Sequence, residues 1–513
     1  MSGSITGQLA FEESDDKKDT GKRAYGTNPT GQRGSEDFPD AEKIHHFHPD
    51  WQIGSKCTCG KGRLKEFRRN KKLPSKALIL AGSVFRSEVH VFHDLRCNSC
   101  DEVFRVPPSE KACAEGLERG AGGLSYGYSA IALIAIQTYF YGIPWYRSSK
   151  MTGSSSLPVS RSTMQDQVEK LSCVIRPMIG EMFSQAANCW LQMGDDTSRK
   201  VFELAGCSTE PVSDRKTKGR CSLVVGFREN DSYPVAIVKI GLQHTGDLFD
   251  DLLKERDRSL KPPLLMSDGA GCNQTSSGLA IHLSCLQHAR DYFVKCKKDW
   301  TEKDLIPLKL INRLFKNDRA TTDMNSEDRL SYHQENSSGI TDQLFDECER
   351  ILKEVAPPAS ALGESAHYVL NRKEELTGFL KHPGAPLSNN LIESLFGSVI
   401  AITRKNSGPH KNILGATWAA DILSVGITAL LCGLNLQQYF VFLLQHTGEI
   451  KLSPSEYLPW NFQMDSSGTI TRRKIDKNKI LPLSQAPPPP FRAPLPKPAL
   501  TRPEKYLEKL LAG

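Results

Sequence analysis

Three acidic residues in three distant stretches are the side chains best placed to do chemistry: Asp195 in Trp190-Leu-Gln-Met-Gly-Asp-Asp-Thr197, Asp268 in Leu264-Leu-Met-Ser-Asp-Gly-Ala-Gly271, and Glu393 in Ser388-Asn-Asn-Leu-Ile-Glu-Ser394. Two of them lie at the ends of apolar runs, where a strand delivers a carboxylate to the rim of a sheet, and the third lies in what reads as a helix start. Carboxylates brought together from distant positions are what a pair of Mg²⁺ (or Mn²⁺) ions needs for in-line attack on a phosphodiester.

A second set is built from sulfur. Cys57-Thr-Cys59-Gly and Cys97-Asn-Ser-Cys100 bracket a basic run and the alternating stretch Ser87 to Arg96. Two cysteine pairs on turns joined by a hairpin are how a zinc ribbon makes a tetrahedral four-sulfur site, so Cys57, Cys59, Cys97 and Cys100 are expected to hold one structural Zn²⁺. The first pair has a one-residue spacer, the second the usual two. Between them Arg68, Arg69, Lys71 and Lys72 are expected to meet DNA phosphates.

These groups need elements to position them. Ser129 to Tyr141 has helical periodicity, Gly142-Ile-Pro-Trp-Tyr-Arg147 breaks it, and a helix opens at Val159-Ser-Arg-Ser-Thr163 with a capping serine. Helix, turn and helix suggest a helix-turn-helix, with Arg161 near a DNA groove. From residue 188 the pattern changes to strands: Cys189–Met193, Cys221–Phe227 and Tyr233–Ile240, a helix at Gly246–Arg258, a strand at Pro263–Ser267 and another at Ile281–Leu286. That order matches an RNase H-like sheet, in which the first and fourth strands are neighbours and can bring Asp195 and Asp268 together. Glu393 to Asn406 and Ala416 to Leu434 read as helices.

The fold class expected is therefore multidomain α/β. It divides into a disordered polar tail (1–50), a zinc-binding, DNA-binding module (51–108) and a helical, helix-turn-helix-like DNA-binding domain (109–187). The first part of an RNase H-like catalytic core (188–293) follows, then an α-helical insertion (294–385), the C-terminal helices of the core (386–450) and a basic, Pro-rich tail (451–513). His45, His46 and His48 close the first tail and are read as solvated.

The bulk properties agree with a large, water-soluble chain. Its 513 residues exceed a single core, and 39% hydrophobic with 24% charged residues is globular composition. A net charge of +7 favours a polyanionic partner only weakly. Fourteen cysteines, mostly scattered singly, suit a reducing compartment rather than a disulfide framework. The opening Met1-Ser-Gly-Ser-Ile-Thr lacks a basic start and an apolar core of a signal peptide, and the most apolar segments read as buried helices. A cytoplasmic protein with no membrane partner is expected.

Taken in order, several short motifs resemble the IS66 family of bacterial insertion-sequence transposases. They are the cysteine module, Tyr141-Gly-Ile-Pro-Trp-Tyr-Arg147, Gly194-Asp-Asp-Thr197, Ser267-Asp-Gly269, Cys285-Leu-Gln-His-Ala-Arg290, Asn389-Asn-Leu-Ile-Glu393, Arg404-Lys-Asn406, Gly433-Leu-Asn435 and Leu458-Pro-Trp-Asn461. The resemblance implies a DDE enzyme that binds double-stranded DNA at transposon ends and target, cuts it with Mg²⁺ and joins the 3′-OH to a new strand. It also implies a homo-oligomer on DNA, element-encoded helper proteins and a nucleoid-associated location. Residue by residue it gives Asp195, Asp268 and Glu393 as catalytic, with Asp196 as the backup for the first, and Arg404 and Lys405 against DNA phosphates. Cys285 and His288 match a Cys-x-x-His element whose role is either metal binding or packing. Many relatives have a longer coiled-coil-like region ahead of the cysteines; the short polar tail here puts a zipper-type element in doubt, the alternatives being a late start or a shorter subgroup. Two other classes stay open: a metal-dependent RNase H-like nuclease or resolvase without strand transfer, and a catalytically silent DNA-binding protein.

Overall fold

The computed structural model describes residue 35 and residues 41–68, 73–81, 85–119, 124–154, 159–206, 219–229, 233–275, 277–296 and 306–473. Arg69, Lys71 and Lys72, residues 1–34, and the Pro-rich segment after 473 lie outside the described residues. The chain divides into two compact units, the first made of residues 1–79, 87–109 and 117–125, the second essentially of Tyr126 onward.

The first unit carries two small sheets. β1 (Glu42–His46), β3 (Ser75–Ala81), β4 (Phe85–Phe92) and β7 (Leu124–Tyr126) form one in the order β1-β4-β3-β7, with β1 parallel to β4. β2 (Leu64–Glu66), β5 (Leu95–Cys97) and β6 (Val103–Phe104) form the other, an antiparallel meander. Residues 42–46, expected in a polar tail, are thus a strand. Its Ile44 and His46 alternate with the exposed Lys43 and His45, and pairing with β4 buries His46 (7% exposed) against Phe92. His46 is consequently no solvated histidine: its Nε2 lies 2.8 Å from His90 Nδ1. Burial lowers the pKa of both rings, that of His90 to about 4.

In the second unit five strands make one mixed sheet, in the order β10-β9-β8-β11-β12. They are β8 (Leu191–Ser198), β9 (Arg220–Phe227), β10 (Pro234–Gly241), β11 (Leu264–Ser267) and β12 (Ile281–Ser284). β8, β9 and β10 run antiparallel as successive hairpin partners, while β11 and β12 run parallel to β8. The first strand therefore lies at the centre, flanked by the second and the fourth. β9 is buried along nearly its whole length, as a Val-rich strand covered on both faces must be.

Helices close over this sheet. The 27-residue helix Arg161–Ala187 starts at Ser160, whose hydroxyl accepts from Thr163 N at 3.1 Å, a cap worth about 1 kcal/mol. It buries Met164, Val168, Leu171, Ile175, Met178 and Met182 and packs on β10 and on the helices Tyr128–Tyr139 and Ile413–Leu431. Its apolar stripe is used within the core that it shares with the sheet, so the boundary expected near 187 does not separate two compact units. The helix Ile413–Leu431 is long and apolar enough to cross a membrane, yet it is 78% buried inside the fold. It covers the edge strand β10, where Thr428 and Ser424 hydroxyls accept the N–H groups of Ala236 and Val238 at 2.9 Å each. Donors that an edge strand would leave bare are satisfied in this way. The insertion is helical as expected, with helices Ile306–Ala320, Ser326–Asn336, Ser338–Arg350 and Ala361–Leu370. Residues 451–473, expected in a tail, instead bury Trp460 and Phe462 and close in a hairpin of Phe462–Met464 and Ile470–Arg472. Arg473 is spent on the fold, donating to the carbonyls of Phe462 and Cys432.

Candidate functional site

The parallel pairing of β8 with β11 brings the first two acids together. Asp195 lies within β8, and Asp268 directly follows β11. The side-chain amide of Asn273 donates to both, at 3.0 Å to Asp195 Oδ1 and 3.1 Å to Asp268 Oδ1. Asp268 also accepts from Ala270 N at 2.8 Å, closing a tight turn. Gly269 in that turn has φ +80°, and a Cβ there would meet Arg372 and Tyr368, so conformation and space both require glycine. The insertion pins the turn from outside: Tyr368 Oη donates to Asp268 O at 2.7 Å and Arg372 to Gly269 O at 2.8 Å.

Glu393 arrives on the short helix Asn390–Leu395, and Asn389 at its start fixes the position. The Asn389 amide donates to Gly194 O (3.1 Å), the residue before Asp195, and its backbone N–H donates to Cys285 Sγ (3.2 Å). Cys285 and His288 make different contacts. The buried thiol holds the Asn389 loop, and His288 Nδ1 faces Glu393 Oε1 at 3.6 Å. The helix expected to run unbroken from 393 to 406 widens by one residue over Phe396–Ile400 before continuing as Ala401–Asn406, an irregularity often found beside functional residues.

The two adjacent aspartates differ sharply in surroundings. Asp196 is engaged by the Arg220 guanidinium at 2.8 Å and by the His244 ring at 2.9 Å. Among the described residues Asp195 accepts only from Asp196 N and Asn273, and no lysine or arginine pairs with it, with Asp268 or with Glu393. Burial pushes the Asp195 carboxyl up to about 7, and the charges of Asp268, Asp196 and Glu393 add to the rise. Glu393 is also raised, chiefly by burial, against the opposing pull of His288. Glu393 Oε1 and His288 Nδ1 are buried without a hydrogen-bond partner. An excess of negative charge with unpaired oxygen is what a divalent cation satisfies, so the donor set fits one. The three acids do not collapse into one tight knot. The oxygen, nitrogen and sulfur ligand groups lying within 4.8 Å of one another here are Cys285–His288–Glu393 and Asp196–His244–Cys272.

Arg404 lies at the end of β8, donating to Thr197 Oγ1 at 2.7 Å, and Lys405 beside it is exposed. Arg161 is exposed at the start of its helix. Arg68 is exposed too and pairs with Glu66 at 2.7 Å. Of the residues that position the acids, Asn273, Asn389, Tyr368 and Arg372 escape a reading of the sequence. Asn273 sits in a Gly/Ser-rich loop that signals only a turn, and the other three act across large sequence separations.

In the first unit the four thiols converge. Cys57 Sγ lies 3.6 Å from Cys100 Sγ, Cys59 Sγ lies 3.6 Å from Cys97 Sγ, and all four lie within 4.8 Å of one another. Tetrahedral Zn–S bonds of about 2.3 Å put sulfurs about 3.8 Å apart, so the set fits zinc. Ser99 N and Cys100 N both donate to Cys97 Sγ at 3.4 Å. Burial pushes the Cys97 thiol up, but these N–H groups outweigh it and bring it down to about 6, while Cys100 is raised to about 12 within the same thiol cluster. Gly62 permits the approach, since a Cβ there would meet Cys97 Sγ and Asn98 at 2.6 Å.

Residues 123–418 match the family model described as Transposase IS66 family, more than half of the chain. The chain therefore belongs to the IS66 family of transposases, and membership implies DNA as a partner. The matched span includes the whole five-stranded sheet, the three acids and the helical insertion; the four cysteines lie ahead of it. Two relatives from Sinorhizobium fredii (strain NBRC 101917 / NGR234) are similar over much of their length. "Uncharacterized protein y4hP" is 23% identical over 386 residues, which is 73% of this chain and 68% of that protein. "Uncharacterized protein y4qI" is 24% identical over 362 residues, 66% of this chain and 63% of that protein.

Proposed function

We propose that this chain is a DDE transposase with an RNase H-like core, which binds transposon ends and carries out metal-dependent DNA cleavage and 3′-OH strand transfer. The observation that carries this reading is the single amide of Asn273 spanning Asp195 and Asp268, in a cluster whose charge Glu393 increases. The strand order, first strand central with the fourth beside it, supports the same reading.

Asp195, Asp268 and Glu393 would hold two Mg²⁺ (or Mn²⁺) ions, which when bound polarise the scissile phosphate and acidify the attacking water or 3′-OH. The chain's own residues prepare the site. Asn273 orients two carboxylates, the Tyr368 and Arg372 contacts fix the turn of Asp268, and Asn389 ties the Glu393 helix to β8. His288 holds a nitrogen against Glu393 and so limits its rotation. Arg404 and Lys405 supply positive charge for DNA backbone beside β8, and Arg161 supplies more at its helix start. Cys57, Cys59, Cys97 and Cys100 hold a structural Zn²⁺, and the Arg68 to Lys72 segment meets phosphates. The protein acts as a homo-oligomer on double-stranded DNA, with helper proteins encoded by the same element.

The deciding experiment offers the purified chain a duplex with a pre-cut 3′ end, a second duplex and Mg²⁺. Joined product is expected. Hydrolysis without joining would make the chain a nuclease, and neither would make it a DNA-binding protein alone.

A further inference from the structure

Within the second unit, beyond the end of β8, lies a cleft of about 700 Å³ that the carboxylates do not enter. It is lined by Arg199, Arg161, Lys411, His410, Trp145 and Tyr146, among others, and none of its lining residues is acidic. Two long helices begin at its wall, Arg161–Ala187 after Ser160 and Ile413–Leu431 after Asn412, and helix starts attract anions. Glu203 takes one of the available donors, Ile413 N, at 2.6 Å.

The second observation is independent of the helices. Arg199 is only 4% exposed, and among the described residues it has no carboxylate partner and makes one long side-chain contact, 3.4 Å to Thr403 Oγ1. Its Nε is buried without a hydrogen-bond partner, as are Trp145 Nε1 and His410 Nε2 in the same lining. An arginine stays charged when buried, and a buried charge left unpaired is costly. Three polar nitrogens without partners, one of them on a guanidinium, thus line one cleft, and a guanidinium and an indole N–H are donors that suit an anion. The neighbouring surface is aromatic: Tyr146 is 53% exposed, and Lys150 Nζ lies 4.7 Å from its ring centre.

We propose that this cleft binds a phosphate together with the unstacked base that it carries, on a single-stranded stretch of the DNA on which the carboxylates act. The inference rests on the transposase reading and adds a binding site to it. Arg199 is four residues beyond Asp195 along the same extended chain, about 13 Å at 3.3 Å per residue. Arg404, held by Thr197 and Ser198, continues the positive charge between the two places. Arg199, Arg161 and Lys411 take the phosphate, and Trp145 and Tyr146 take the base by stacking.

The test uses the full chain without Mg²⁺ and compares a blunt duplex with the same duplex carrying a short single-stranded tail. The tailed duplex is expected to bind about tenfold tighter and to quench tryptophan emission, a signal that Trp145→Phe removes. The double variant Arg161→Ala/Lys411→Ala changes two exposed residues, so its fold is kept. It should abolish the preference and reduce the slope of log affinity against log salt by roughly 1–2. Equal binding of both duplexes, or a preference that survives the double variant, overturns the site. Displacement of the tail by dAMP or inorganic phosphate at micromolar concentration would assign the cleft to a free nucleotide or phosphate and overturn its role on DNA. Asp195→Asn separates the two readings, since it should keep the tail preference while losing cleavage. A wild type with tail preference but no cleavage would sink the transposase reading alone; cleavage without tail preference would sink the cleft alone.

Discussion

The thiols of the first unit and the carboxylates of the second are both candidate ligand sets, built in opposite ways. The thiols stand on two short turns, already at 3.6 Å contacts, with backbone N–H groups donated to sulfur. Little beyond Leu64 and Leu95 is buried with them. A core that small would draw much of its stability from the zinc proposed for it. The carboxylates stand on a large buried core; the Asn273 amide bridges Asp195 and Asp268, and Glu393 keeps an unpaired oxygen. A closed set suits structure; an open set crowded with like charge suits chemistry.

The largest effect that would break this contrast is catalytic. Asp195→Asn, Asp268→Asn and Glu393→Gln should each lower cleavage and strand transfer by at least roughly a thousandfold, several kcal/mol of transition-state stabilisation, with end binding nearly intact. Asp196→Asn should cost far less, because that carboxylate is already engaged by Arg220 and His244. Loss of activity in Asp196→Asn with activity kept in Asp195→Asn would shift the site by one residue. Full activity in the Asp268 or Glu393 variant would end the DDE reading.

Next comes the zinc proposed for the four thiols. The full chain should carry about one zinc by elemental analysis, and Cys57→Ser or Cys97→Ser should lose it together with the protease resistance of the first unit. Zinc content that is unchanged in both variants would refute the assignment. Chelation should likewise loosen the first unit and leave the five-stranded sheet folded.

The same contrast explains what could be read from the sequence. Cys-x-Cys and Cys-x-x-Cys are local patterns on turns, so their meeting is legible from spacing alone. The order of strands around residues 189–286 is legible too, because alternation and turn residues are local signals. What registers across distance is not. Asp195 and Asp196 look alike in the sequence, and only the surroundings given by β9 and the His244 loop set them apart. The helix Arg161–Ala187 carries a good cap and a good stripe, which suit a recognition helix and a core helix equally; the sheet it meets decides. Glu42–His46 and Phe462–Met464 were hidden for the same reason, since short polar-flanked strands show their burial only through partners.

A smaller effect sharpens the comparison inside the open site. Asn273→Ala removes the amide shared by Asp195 and Asp268, touching no carboxylate. The Mg²⁺ concentration for half-maximal cleavage should rise roughly tenfold or more, as when residues that orient metal ligands are lost. Because Asn273 positions rather than reacts, the rate at saturating Mg²⁺ should largely recover. A rate loss that no concentration of Mg²⁺ repairs would make Asn273 a catalytic group instead.

The smallest effect concerns stability and has a fixed sign. The Asp195 carboxyl is raised to about 7, above its unfolded value near 3.8. Below the unfolded value both states hold the proton, and the residue does not matter. As pH rises from there to about 7, the unfolded chain releases its proton while the folded chain retains it, so stability falls across that window. Asp195→Asn removes the penalty. Without Mg²⁺ the variant should be more stable than wild type at pH 8 by about 1 kcal/mol, a shift in Tm of roughly 2 °C, and equal to it near pH 4. With Mg²⁺ the order should reverse, because the ion stabilises only a carboxylate that can be ionised, and wild-type affinity should strengthen as pH rises through about 7. Thermal unfolding at the two pH values, with and without Mg²⁺, gives four comparisons. A variant less stable than wild type at pH 8 without Mg²⁺ would mean that Asp195 is ionised and satisfied by the protein itself, and the open site would then be as closed as the four thiols.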